Sequence, residues 1–240
     1  QKFSFYDFRV IAHYLGVLMM FLAAAECVPF VVAVVLGEWQ PASHYLFGMG
    51  VALIVGSLLR LILPSPGKLT PKQALAVTGF AWLALALLGC IPLYMSGHYG
   101  SMLDAVFEGM SAWTTTGCSL VQDIDHMSIA DNTWRFTMQC IGGQGVVVIA
   151  LSLGLFGRAV DSSLYSSEGR SEHVIPNIMQ TARFIVRFSM ATIVIGTILT
   201  TAACLFIGMA PVRAFFNGLW LAVASFNTGG MTSDRKSTRL

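Results

Sequence analysis

What this sequence lacks most is charge. Charged residues occupy 11% of its 240 positions, against about 25% in an ordinary water-soluble domain. Apolar residues occupy 55%, and the mean hydropathy is +0.71. A chain so poor in charge cannot clothe a surface that meets water on every side, which excludes a soluble globular domain and implies a polytopic membrane protein in contact with lipid. The formal net charge of +2 provides no basic patch of the kind nucleic acid demands, so no nucleic-acid partner is expected. Metal and disulfide chemistry are equally short of material. The five cysteines, Cys27, Cys90, Cys118, Cys140 and Cys204, form no Cys-x-x-Cys pair, and all but Cys118 fall within apolar runs. They read as small buried hydrophobes rather than ligands or disulfides. His13, His44, His98, His126 and His173 are scattered without ligand spacing, which argues against a transition-metal site. Catalysis also lacks its parts. Ser111, Ser119 and Ser225 have no histidine or lysine within a span to activate them except His13 near one end, and Glu26 is the sole mid-span carboxylate. An intramembrane enzyme, which needs an activated nucleophile or paired carboxylates, is therefore only a remote alternative.

What the chain has instead is long apolar runs. Residues 10–36 suffice to cross a hydrocarbon core of roughly 30 Å at 1.5 Å per residue, and further runs follow at 42–63, 74–95, 133–156 and 184–209. No short apolar core with a small-residue cleavage site precedes the first run, so no signal peptide is expected. Glu26 lies three residues before Pro29. Its expected role is a structural hydrogen bond beside a proline kink, with ion binding as the alternative. The turn Gly37-Glu38-Trp39-Gln40-Pro41 and the breaker Pro64-Ser65-Pro66-Gly67 separate the first runs. Gly142, Gly143, Gly145, Gly154 and Gly157 in and after the fourth run are the small residues that let helices approach closely.

Two apolar segments are too short to cross. Residues 101–113 carry Leu103, Val106, Phe107 and Met110 at half-buried helical spacing and end in Thr114-Thr115-Thr116-Gly117. Residues 214–224 end in Asn227-Thr228-Gly229-Gly230. Laid on each other without a gap at an offset of 113, the two copies place Trp113 on Phe226, Thr115 on Thr228 and Gly117 on Gly230. A polar turn survives at membrane depth only where it is buried in protein or lines a wet cavity. Thr-x-Gly after a short helix is what a carbonyl-lined cation site needs, because glycine reaches backbone angles that let successive carbonyls face one axis. Such strings also occur in ordinary turns. It is the repetition, each copy after a full span, that points to the plan of a channel subunit.

Charge gives an orientation. With the N-terminus cytoplasmic, five crossings put Lys2, Arg9, Arg60, Lys68, Lys72, Arg158, Arg170, Arg183 and Arg187 inside, and only Arg135 and Arg213 outside before the terminal tail, as the positive-inside rule requires. Both turns then enter from the external face. The loop bearing Asp123, Asp125 and Asp131 is either a cation-concentrating feature or a merely solvated turn.

These residues resemble the Trk/Ktr/HKT superfamily of potassium transporters, most closely the bacterial Trk membrane subunit. The resemblance rests on Leu103-Asp104-Ala105-Val106-Phe107-Glu108 running into the Thr-rich turn, on Trp134-Arg135 followed by Gln139-Cys140-Ile141-Gly142-Gly143-Gln144-Gly145, and on Asn227-Thr228-Gly229-Gly230. It implies an all-α integral membrane fold with re-entrant pore helices and filter loops in span–pore–span repeats. Residues 1–73 would be two extra N-terminal helices, 74–158 the first repeat, 159–232 the first part of a second, and 233–240 a polar tail expected not to be native. It further implies K⁺ uptake across the cytoplasmic (inner) membrane through backbone carbonyls of Thr115, Thr116, Gly117, Thr228, Gly229 and Gly230, with Thr114 and Asn227 as secondary candidates. It implies no covalently bound cofactor, with K⁺ as the ion. A cytoplasmic nucleotide-binding regulatory subunit and a homodimer are its implied partners. Glycine at 117 reads as K⁺-permissive in this family, while a Na⁺-coupled symporter or a Na⁺-permeable transporter on the same scaffold stays open. The family's third and fourth repeats are not in this sequence, so the chain is expected to be a fragment.

Overall fold

The computed structural model describes residues 4–62, 70–152 and 178–232. Among them the structure is helical, without strands: α1 (Phe5–Leu36), α2 (Trp39–Leu61), α3 (Pro71–Gly89), α4 (Ile91–Met95), α5 (Met102–Trp113), α6 (Ile129–Ser152), α7 (Ile178–Phe206) and α8 (Pro211–Phe226). The breaker at 64–67, most of the polar stretch after the fourth run, Gly154, Gly157 and the tail from 233 lie outside the described residues.

Helix starts follow local chemistry. The Ser4 amide donates to the Asp7 carboxylate at 2.7 Å in a capping box, so α1 begins five residues before the apolar run. Thr70 and Gln73 form the same reciprocal box ahead of Pro71, whose ring suits the first helical turn. α1 and α2 pair antiparallel through a tight link. Gly37 takes a left-handed backbone (φ 75°) and the Glu38 amide donates back to the Ala33 carbonyl at 2.8 Å, which ends the helix and reverses the chain within three residues. The two backbones then touch: a Cβ built on Gly16 would lie 2.6 Å from the Gly56 carbonyl oxygen. In lipid, where hydrocarbon gives helices no hydrophobic reason to associate, such close approach is what dispersion needs.

Among the described residues, four helical stretches are long and apolar enough to cross a membrane: Phe5–Leu36, Trp39–Leu61, Lys72–Met95 and Arg183–Phe206. The third is α3 and α4 in succession, bent at Cys90 ahead of Pro92. The fourth expected run becomes α6, whose 24 residues reach about 36 Å but carry Asp131, Asn132, Arg135, Gln139 and Gln144. It is the most polar of the long helices, and its polar residues turn inward: Asp131, Asn132, Arg135 and Gln139 are all buried.

Aromatic rings lock α6 into the bundle. Trp134 is fully buried and donates its indole N–H to the Gly89 carbonyl at 2.8 Å, and its ring meets those of Trp113 at 6.2 Å and Tyr45 at 6.3 Å edge to face. Such pairs contribute about 0.5–1.5 kcal/mol each beyond their burial. On the other side Phe136 stacks on Trp220 of α8 at 5.7 Å.

Two expectations are corrected. Glu26 is fully buried, but neither of its oxygens has a hydrogen-bond partner among the described residues. The carboxylate fills the notch left by Gly48, where a Cβ would come within 2.9 Å of it, so its place is set by packing. Cys27 is exposed rather than buried, although its thiol lies 3.5 Å from the Met49 sulfur of α2, and Cys118 is exposed as well.

Candidate functional site

The two short helices end alike. α5 closes with Thr114, Thr115 and Thr116 donating their amides to the carbonyls of Met110 (2.9 Å), Ala112 (3.1 Å) and Ser111 (2.9 Å). α8 closes with Asn227, Thr228 and Gly229 donating to Val223 (3.0 Å), Ser225 (3.3 Å) and Ala224 (3.0 Å). Every bond in the second set is the first set moved 113 positions along the chain. The paired bonds, from the third residue past the helix to the third-last carbonyl and from the second to the second-last, form a Schellman cap. That cap needs a left-handed residue where glycine is usual. Here it is threonine in both copies, Thr115 at φ 55° and Thr228 at φ 53°. A β-branched residue there costs roughly 1–2 kcal/mol, and strain of this kind collects where geometry matters. Two residues on, Gly117 (φ 82°) and Gly230 (φ 62°) are left-handed again. The capping side chains also correspond: the Thr114 hydroxyl donates to the Met110 carbonyl at 2.7 Å and the Asn227 amide to the Val223 carbonyl at 2.9 Å.

The turns lie against each other. A Cβ on Gly117 would fall on the carbonyl oxygen of Gly229, whereas none of the described residues comes within 4 Å of a Cβ on Gly230. Thr114, Thr116, Thr228 and Gly230 are exposed, Thr115 and Gly117 half-buried, and Gly229 and Asn227 buried. All eight residues anticipated from the sequence therefore sit in one pair of abutting turns.

Behind the turns runs α6. Its Gly142 faces the Trp113 carbonyl, its Gly143 faces the Asn227 side chain, and its Gln139 side chain fills the space a Cβ on Gly229 would need. Gln144 donates its side-chain amide to the Asn227 side-chain oxygen at 3.5 Å. The expected packing role of Gly142 and Gly143 is thus a contact with the turns themselves, while among the described residues Gly145 has nothing within 4 Å of its Cβ position.

The first turn has a second support. Glu108 of α5 and Arg135 of α6 form an ion pair at 2.7 Å with both side chains fully buried. The other Glu108 oxygen accepts the Leu120 amide at 2.9 Å, and Ser119 donates to the pair at 3.0 Å. Ser111 donates its hydroxyl to the Cys118 carbonyl at 2.6 Å. Arg135 was counted among external charges by the sequence; the structure makes it a buried scaffold cation. A signal for this face was available, since Asn132, Arg135, Gln139, Gly142 and Gly143 recur at three- and four-residue steps, a polar and small-residue stripe on one side of a spanning helix.

In the loop between α5 and α6, Asp123 and His126 pair at 2.9 Å on the surface. The hydrogen bond to His126 holds the Asp123 carboxyl below its ordinary value, and the same bond raises the His126 imidazole.

The family model described as TrkH, cation transport protein, matches residues 47–238. The chain belongs to the TrkH family of cation transport proteins. The resemblance drawn from residues 103–145 and 227–230 holds at the family level, and this is a transporter family rather than an enzyme family. An uncharacterized cation transporter of Methanocaldococcus jannaschii is 30% identical over 226 residues, 94% of this chain and 46% of that protein. The Trk system potassium uptake protein TrkH of Halomonas elongata is 27% identical over 237 residues, again 94% of this chain and 46% of the relative. The fold matches the crystal structure of the potassium transporter TrkH from Vibrio parahaemolyticus with a TM-score of 0.72 at 23% identity, over 95% of this chain and 44% of the other. This TrkH-family chain spans about half the length of the relatives it matches.

Proposed function

We propose that this chain is part of the pore of a K⁺ uptake transporter, in which backbone carbonyls of Thr115, Thr116, Gly117, Thr228, Gly229 and Gly230 replace water around the ion. The observation that carries this reading is the repeated turn. Left-handed residues at alternate positions in both copies are the backbone arrangement by which successive carbonyls can face one axis, and a strained threonine retained twice is unlike an incidental loop. The C-terminal ends of α5 and α8, the negative ends of their dipoles, meet the turns and favour a cation there. Two Halomonas elongata relatives named as potassium uptake proteins support K⁺ as the ion.

On this reading residues 74–158 and 159–232 are one repeat and the front of the next, behind two extra helices at 1–73. The N-terminus is cytoplasmic and the turns open to the outside of the cell (inner) membrane. In the complete transporter a cytoplasmic nucleotide-binding subunit regulates the pore and two copies associate. The test is K⁺-limited growth of an uptake-deficient bacterium expressing the complete open reading frame that encodes this chain, with Gly117 intact or changed to serine. Rescue that weakens in Gly117→Ser is expected; rescue by both alike would remove Gly117 from the ion path. Parallel ⁸⁶Rb and ²²Na uptake separates K⁺ uniport from Na⁺-coupled symport, because only the symporter makes Rb⁺ entry depend on Na⁺.

A further inference from the structure

Arg135 reaches further than its ion pair. Its Nε and Nη2 both address Glu108, Nη2 also meets the Ser119 hydroxyl at 3.0 Å, and Nη1 donates to the Asn132 side chain at 2.9 Å and to the Thr232 carbonyl at 3.3 Å. Ser119 is two residues beyond Gly117, and Thr232 is two residues beyond Gly230. One guanidinium therefore ties together corresponding points just past the two turns. We propose that Arg135 is a positioning residue that fixes the spacing between the two turns and thereby sets which monovalent cation the pore passes; this rests on the ion-path reading above.

Stability alone does not explain the arrangement. Burying both ions carries a desolvation cost that their attraction barely offsets, and apolar residues of similar size serve as well or better where only stability is at stake. α8 illustrates the point, because it carries Leu221 where α5 carries Glu108, yet ends in the same cap. A short helix and its turn are thus built without the pair. What the pair adds is a rigid, planar fork with donors pointing several ways at once, which holds the Glu108 side of the first repeat and the Thr232 side of the second in one geometry. Lysine, with its donors on a single atom, cannot span both sides.

The experiment uses the complete open reading frame, with Arg135→Lys and Ser119→Ala, and reads the ratio of ⁸⁶Rb to ²²Na uptake in the same cells beside the amount of protein in the membrane and its melting temperature in detergent. Arg135→Lys is expected to accumulate and to lower the ratio about tenfold, chiefly through Na⁺ entry. A ratio within twofold of the unmodified protein at normal abundance overturns the proposal, since a purely structural role moves abundance and melting but not the ratio. If Arg135→Lys does not accumulate, Ser119→Ala decides. It removes the hydroxyl between Glu108 and Arg135 without removing a charge; a roughly threefold fall supports the proposal and an unchanged ratio overturns it. Absence of Rb⁺ uptake by the unmodified protein instead defeats the ion-path reading, and this proposal with it.

Discussion

The two turns share a backbone and differ in what holds it. At the first, Glu108 and Arg135 supply a buried ion pair and Gly117 is pressed against the Gly229 carbonyl. At the second, carboxamides of Asn227, Gln144 and Gln139 lie behind the chain, Leu221 stands 44% exposed at the position equivalent to Glu108, and Gly230 faces open space. The same three cap hydrogen bonds form in both settings. The cap is therefore a local property of the short helix, and the ion pair and glycine contacts determine where that cap sits rather than whether it forms.

The strongest way to break this comparison is to make the first repeat resemble the second. Glu108→Leu copies the residue at 221 but strands Arg135, which is fully buried. Removing one member of a buried pair costs about 3–5 kcal/mol, so a large drop in melting temperature of the purified protein is expected. A melting temperature within a few degrees of the original would show the two supports to be interchangeable. Next come the glycines. Gly117→Ala puts a methyl group onto the Gly229 carbonyl, whereas Gly230→Ala meets no neighbour and bears only left-handed backbone strain, about 1–2 kcal/mol. ⁸⁶Rb uptake is expected to be abolished by the first and reduced about tenfold by the second; equal losses would mean that the open side of Gly230 is filled in the complete transporter.

The smallest effect belongs to the surface loop. His126 is raised by its bond to Asp123, so its contribution to loop order is full below its ordinary pKa of 6.5 and lost as pH rises through the folded value. Asp123 is lowered, so its contribution is full above 3.8 and lost as pH falls through the folded value. The pair is thus strongest between these two ordinary values, and its exposure to solvent keeps the effect slight. An NMR titration of His126 should show its raised pKa, and Asp123→Asn should return it toward the ordinary histidine value.

Four of the five expected spans and the matching of the two turns were legible in the sequence because each is written locally. A run of apolar residues needs no partner to be recognised, and Thr115 with Gly117, matched by Thr228 with Gly230, marks two turns by residue type and spacing alone. Side-chain partners were not legible. Glu108 and Arg135 are 27 positions apart, and a rule that assigns loop arginines by sidedness cannot tell a solvated cation from one folded into the protein. Glu26 drew an expectation from Pro29 beside it, but its surroundings come from Gly48 on another helix. Gly142 and Gly145 look the same in sequence; one abuts the Trp113 carbonyl and the other faces nothing within 4 Å. The three-dimensional neighbour, not the residue type, separates them.

The Schellman caps bear on how little sequence two such segments need to share. Each is written almost wholly in main-chain amides and carbonyls, so only a left-handed position and a following glycine constrain the side chains. Two segments that differ at nearly every other position, as at Ser111 and Ala224 or Glu108 and Leu221, can then still end their helices on the same bonds. The likeness of two such turns is therefore clearer in dihedral angles than in residue identities.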